Sequence, residues 1–130
     1  MHNASAHLLR DYALDLRQQG LTDHLELVAS ARFASLDDDT HAALIARAEA
    51  WAAFRLQSVK AFKVSLGGEI ARRPSSVLQP TYDVIVIALD VLEGRRSRAS
   101  VDGPSLDRID EAVLVSLEWY RNRMARGGAR

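Results

Sequence analysis

The residues best able to do chemistry are few, and their spacing is informative. All four histidines, His2, His7, His24 and His41, fall in the first third of the chain. None stands four residues from another, and no HExxH or ExxH pattern is present, so the helical spacings that hold zinc or a di-iron pair are missing. The chain has no cysteine, which removes disulfides and thiolate-held metals and fits a reducing interior. Two carboxylate pairs, Asp90 with Glu93 and Asp107 with Asp110, have the i, i+3 spacing with which facing helices could bridge Mg²⁺ to a substrate phosphate. The second pair also opens a helix, where acids are expected for electrostatic reasons alone. Asp37, Asp38 and Asp39 are consecutive, so on a helix they point in different directions and read as capping residues rather than as a cation site. The expectation is a protein that is not an enzyme and carries no cofactor or metal.

Basic residues are the alternative source of function. They gather as Lys60 with Lys63, as Arg72-Arg73, and as Arg95, Arg96 and Arg98, with Arg121, Arg123, Arg126 and Arg130 as a fourth group near the end. A guanidinium binds phosphate through two parallel hydrogen bonds, and arginine outnumbers lysine fifteen to two. Genomic base composition produces the same bias. Such groups could track the backbone of single-stranded RNA or DNA, and they are also what solubility and helix-end electrostatics require. Trp119 and Tyr120 are the only aromatics near the basic tail, so backbone contact without base preference is the expectation. Arg72-Arg73-Pro74-Ser75-Ser76 and Arg96-Ser97-Arg98-Ala99-Ser100 also look like sites for basophilic kinases, although patterns this short arise by chance. Net charge is zero, yet residues 1–54 hold eight acidic and four basic side chains while residues 55–130 hold nine and thirteen, or −4 against +4. A bipolar chain can dock head to tail on copies of itself or lay its basic half on an anionic partner.

The elements that must position these residues are helices. Asp37 to Leu66 is the strongest signal, with acids at its start, eight alanines after Thr40, and Gly67-Gly68 where a cap is wanted. Leu44, Ala48, Trp51, Val59, Phe62 and Leu66 form its apolar stripe, interrupted by Arg55. A rod of that length measures roughly 40–45 Å. One more turn over Glu69 to Arg73 is expected before Pro74. Ahead of it, a helix from Ser5 to Gln19 buries Leu8, Leu9, Tyr12, Ala13 and Leu16, and Gly20 ends it. Thr22 then caps a second helix from Asp23 to Ala34, with Leu25, Val28 and Ala29 inward.

The segment TYDVIVIAL, starting at Thr81, is rich in β-branched residues and on its own reads as a buried strand. No second strand candidate exists, and a lone strand cannot satisfy its backbone, so the reading is a helix from Pro80 to Leu92 capped by Gly94. Tyr82, Ile85, Val86, Leu89 and Leu92 face one way. Ile87 and Val91 make it apolar nearly all round, as for a helix at the centre of a bundle. Arg95 to Gly103 reads as a mobile polar loop. The last helix runs from Pro104 to Arg126 on the stripe Leu106, Ile109, Val113, Leu117, Tyr120 and Met124.

The fold class expected is therefore all-α, one domain over 1–130, a bundle of about five helices. Apolar residues make up 48% of the chain, enough to build a core and too many for a disordered one. The longest apolar run, Val84 to Leu89, is six residues, too short to span a bilayer, and MHNASAHLLR lacks the pattern of a signal peptide. A cytoplasmic protein without membrane contact is expected.

In size, helix content, absence of an active-site signature and charge bipolarity, the whole chain resembles the small helical subunits of CRISPR effector complexes, components of antiviral defence. The resemblance implies an assembly subunit with protein partners in a multi-subunit complex, stacked on copies of itself, with arginine surfaces such as Arg72-Arg73 and Arg95–Arg98 on phosphates. Two other classes compete. An immunity protein or antitoxin would dock its acidic half on a basic active site, and an all-helical nucleotide pyrophosphatase would use the paired carboxylates with magnesium.

Overall fold

A computed structural model describes the backbone over residues 2–18 and 37–128 and the side chains over 8–17 and 37–127. Among the described residues the chain is all-α, with four α-helices, one 3₁₀ turn and no strand. They are α1 (His2–Gln18), α2 (Asp38–Arg72), α3 (Leu78–Leu92) and α4 (Gly103–Gly128). The expected helix over 23–34, its Thr22 cap, and the Gly20 expected to end the first helix lie outside the described residues.

Packing gathers into two compact units, Met1–Phe54 and Arg55–Arg130. In the first, α1 meets the opening turns of α2. Leu9 and Leu16 pack with Leu44 and Ala48, and Leu8, Tyr12, Ala13 and Ile45 close around them. Every α1 residue in that list stands on the stripe read from its spacing. Trp51 is 9% exposed, and its ring lies 5.5 Å from that of Tyr12, tilted by 38°.

The second unit is a three-helix bundle. Val59, Phe62 and Leu66 of α2, Ile85 and Leu89 of α3 and Ala112 of α4 form its core. Trp119 is tilted against Phe62, with ring centroids 5.3 Å apart and planes at 56°. Ser116 is buried and donates its hydroxyl hydrogen to the carbonyl of Ala112 at 2.8 Å, which satisfies a polar group on an apolar face. The segment around Val84 to Leu89 is helical, as the lack of a partner strand required. It is less central than its composition implies: Ile85, Ala88 and Leu89 are buried, while Val86, Ile87 and Val91 are half-buried.

The helix α1 begins at His2 rather than Ser5 and α4 runs to Gly128 rather than Arg126; two further boundaries differ from expectation. The helix α2 does not stop at Gly67-Gly68 but runs 35 residues to Arg72, about 52 Å at the usual rise. A Cβ placed on Gly67 would stand 3.5 Å from Cε2 of Tyr82, so this glycine sits where α3 comes close and does not serve as a cap. Glu69 and Arg72 pair one turn apart on the extension, and Pro74 ends it because it lacks an amide donor and disfavours helix in the residue before it. The helix α3 begins two residues before Pro80. Ser75 starts it, its hydroxyl oxygen accepting from the amides of Val77 and Leu78, each at 3.1 Å.

Aspartates cap the starts of α2 and α4. Asp37 accepts from the amide of Thr40 at 2.8 Å and from its hydroxyl at 3.0 Å. Asp102 does the same with Ser105, at 2.8 and 3.1 Å. The backbone hydrogen bond, followed by the hydroxyl one, holds each carboxyl below its ordinary value of 3.8. A depressed folded-state pKa contributes stability above the unfolded value, and that contribution is lost as pH falls through the folded one. Asp37→Ala and Asp102→Ala should therefore lower the thermal midpoint at pH 7. The gap to the parent should narrow as the buffer is taken below 3.8. A gap that stays constant down to pH 3 would deny these carboxylates the role.

Candidate functional site

The basic groups are treated differently by the fold. Arg95, expected on a mobile loop, is part of a built turn. Gly94 adopts φ +78°, the left-handed conformation that glycine tolerates, and the amides of Arg95 and Arg96 both donate to the carbonyl of Asp90, at 2.8 and 3.1 Å. The Arg95 guanidinium then reaches Asp90 Oδ1 at 2.8 Å and Glu93 Oε1 at 2.8 Å. Lys60, from α2, reaches the other oxygen of Glu93 at 3.3 Å. Two cations thus face two carboxylates. Arg95 and then Lys60 hold the Glu93 carboxyl below its ordinary value, and Asp90 followed by Glu93 raises the pKa of Arg95.

Arg98 is equally committed. It begins a 3₁₀ turn, Arg98–Ser100, capped by the Ser97 hydroxyl, which accepts from the Ala99 amide at 3.2 Å. Its two terminal nitrogens grip both oxygens of Asp110, at 3.0 and 2.8 Å, the planar fork geometry that makes arginine pairs strong. The loop is therefore tied to α3 and α4 through the side chains that were expected to be available for phosphate. Of its three arginines, Arg96 has no ion pair among the described residues. The same contacts occupy Asp90, Glu93 and Asp110, three of the four carboxylates that could have held magnesium. No group of three or more histidines and carboxylates suited to a metal occurs among the described residues.

Arg72 and Arg123 are brought together elsewhere. Both line an open groove of about 680 Å³ between the late turns of α2 and α4. Val64 and Gly68 form its α2 side, Tyr120 and Met124 its α4 side. Val64 is 75% exposed and Met124 56%, an unusual pair of apolar groups to leave against water beside two guanidiniums. The walls are held from within. Arg123 lies over the Trp119 ring at 5.3 Å, and Trp119 is packed on Phe62 in the core. The Tyr120 hydroxyl accepts from the Gln57 amide at 2.8 Å. Among the described residues Arg72 is paired only along its own helix with Glu69, and that exposed pair is weak.

Lys63, Arg73, Arg96 and Arg121 are not among the residues lining this groove. Lys63 is half-buried and Arg73 exposed, and neither has an ion pair among the described residues. Arg121 is half-buried, Arg126 is exposed near the end of α4, and Arg130 lies outside the described residues. Tyr120 and Met124 read as stripe positions in the sequence. In the structure Tyr120 is half-buried and Met124 exposed, and both line the groove. Val64 was a missed signal: it stands opposite Phe62 and Leu66 on α2, where a surface helix normally carries a polar residue.

A second cavity, about 550 Å³, is lined by Phe62, Val84 and Val115 with Arg108 and Glu111. It carries one charge of each sign and does not favour an anion. Charge also follows the packing. The acidic and basic halves of the chain, −4 and +4, divide at the boundary between the two compact units. Among the described residues no helix is long and apolar enough to cross a membrane. In comparisons with known proteins, no protein-family model, curated protein or solved structure matches the chain.

Proposed function

We propose that this chain is a non-enzymatic helical assembly subunit of a nucleoprotein complex, holding a nucleic-acid backbone on its second unit and contacting neighbouring protein subunits. The observation that carries this reading is the groove in which Arg72 and Arg123 stand together, in the unit that bears the net positive charge. Two guanidiniums on neighbouring helices can take successive phosphates, whereas three of the four carboxylates of the enzymatic alternative are taken up by arginine and lysine. The footprint differs from the one expected from sequence. It rests on Arg72 and Arg123, with Arg73 and Arg126 as exposed neighbours in the chain, and draws little from Arg95 and Arg98. The small subunits of CRISPR effector complexes offer a concrete setting, cytoplasmic and filament-forming, in which such a part works.

The test is a salt series with a single-stranded homopolymer. Affinity should fall with added salt by a log–log slope of about −0.7 per phosphate contact, because each contact releases condensed counterions. Replacing Arg72 and Arg123 by alanine should flatten the slope by roughly 1.4, while Arg96→Ala alone removes at most one contact. Salt-insensitive binding, or a double variant indistinguishable from the parent, would overturn the proposal. Loss of partner binding on neutralising Asp38 and Asp39 would then put the immunity-protein reading in front.

A further inference from the structure

The groove has a chemistry that backbone contact does not use. Phosphate recognition needs the guanidiniums of Arg72 and Arg123 and nothing apolar between them. Yet Val64 and Met124 present exposed aliphatic and thioether surface there, with the Tyr120 ring beside them. Each loses little by being covered and gains by being shielded from water. Methionine is also the side chain that best adapts to a flat polarisable surface, through its flexible stem and soft sulfur.

Resting on the nucleic-acid reading, we propose that the groove admits an unpaired nucleobase, seated against Val64, Tyr120 and Met124 while Arg72 and Arg123 hold the flanking phosphates. The partner is thus a single strand whose bases are free to leave their stack. A duplex offers the same phosphates but keeps its bases paired inside, so it can satisfy only half of the site. Charge complementarity argues for this occupant over an apolar peptide: a segment that covered Val64 and Met124 without anions would leave both guanidiniums facing apolar surface. Base identity is not read, since every base has the flat face that stacking on a ring or a thioether requires. This refines the expectation of a backbone-only reader, which followed from the scarcity of aromatics in the sequence.

The experiment compares three probes on the full chain at one salt concentration: a homopolymer single strand, an abasic strand of the same length and charge, and a duplex. The homopolymer should bind on the order of tenfold more tightly than the abasic strand for each base seated, and more tightly than the duplex. Val64→Gln and Met124→Gln, both at exposed positions that the core does not need, should remove that preference while leaving the salt slope unchanged. Equal affinity for the abasic and normal strands overturns the base-seating proposal while leaving the phosphate reading intact. So does a preference that survives both glutamine substitutions, which would put the base elsewhere. No salt-dependent binding to any probe overturns the phosphate reading itself. Abasic and normal strands that bind equally, together with capture of an acidic peptide that the glutamine variants abolish, would assign the groove to a protein partner.

Discussion

Replacing Trp51 by alanine is expected to destabilise the protein by about 3–5 kcal/mol, the usual loss for a large buried aromatic. The indole is 9% exposed and leans on Tyr12, beside the cluster of Leu9, Leu16, Leu44 and Ala48. Removing it deletes the transfer free energy of its atoms and leaves a hole that helices on either side cannot fully close. Urea unfolding monitored by circular dichroism should show the midpoint falling at an unchanged slope. A loss below about 1 kcal/mol would mean that the ring is covered in the folded chain but contributes no packing.

The second large effect is expected at Ile85. It has 0% exposure and joins Val59, Phe62, Leu66, Leu89 and Ala112 where three helices meet. Ile85→Ala should cost about 2–5 kcal/mol, set by how far α2 and α4 can settle into the space. Val64→Ala, on the same unit but 75% exposed, is the matched control and should stay within about 0.5 kcal/mol. If both substitutions proved mild, the apolar face of α3 would be held only by its neighbours' propensity for helix. Equal large losses would mean that Val64 is covered in solution.

The core was legible in the sequence to a degree that the surface was not. Leu44, Ala48, Trp51, Val59, Phe62 and Leu66 recur at helical spacing, and all six are buried. Burial enforces a period, so the period reveals burial. The strand-like run at Val84 could be assigned correctly because backbone groups need partners, and no other segment offered a ladder. Glycine was harder. Gly67 and Gly68 carry the residue type of a cap, but whether a helix stops there depends on what approaches it, and Tyr82 is distant in sequence. Gly94, also glycine, does take the left-handed conformation.

The candidate site was legible only as a list. Arg95, Arg98, Arg72 and Arg123 are the same residue type in similar polar company, and nothing local distinguishes them. The fates of Arg95 and Arg98 are decided by carboxylates two to twelve positions away: Asp90 and Glu93 for Arg95, Asp110 for Arg98. Such pairings depend on turn geometry that composition does not encode. The groove depends further on which faces of two helices meet, and its residues from positions 61–72 and 120–124 are far apart in the sequence. By contrast, the division of charge at residue 54 was visible by counting and coincides with the division of packing.

The unbroken course of α2 has a consequence for anyone dissecting this protein. The packing boundary between Phe54 and Arg55 falls inside a helix, not in a connecting loop. A protease that needs an extended segment finds none there. A fragment boundary placed at that bond would strip hydrogen-bond partners from about four carbonyls on one piece and about four amides on the other. Expression of either half would therefore begin or end on a frayed turn, and a failure to fold would say nothing about its core. Useful fragments should each carry the whole of Asp38–Arg72, sharing that helix as duplicated sequence.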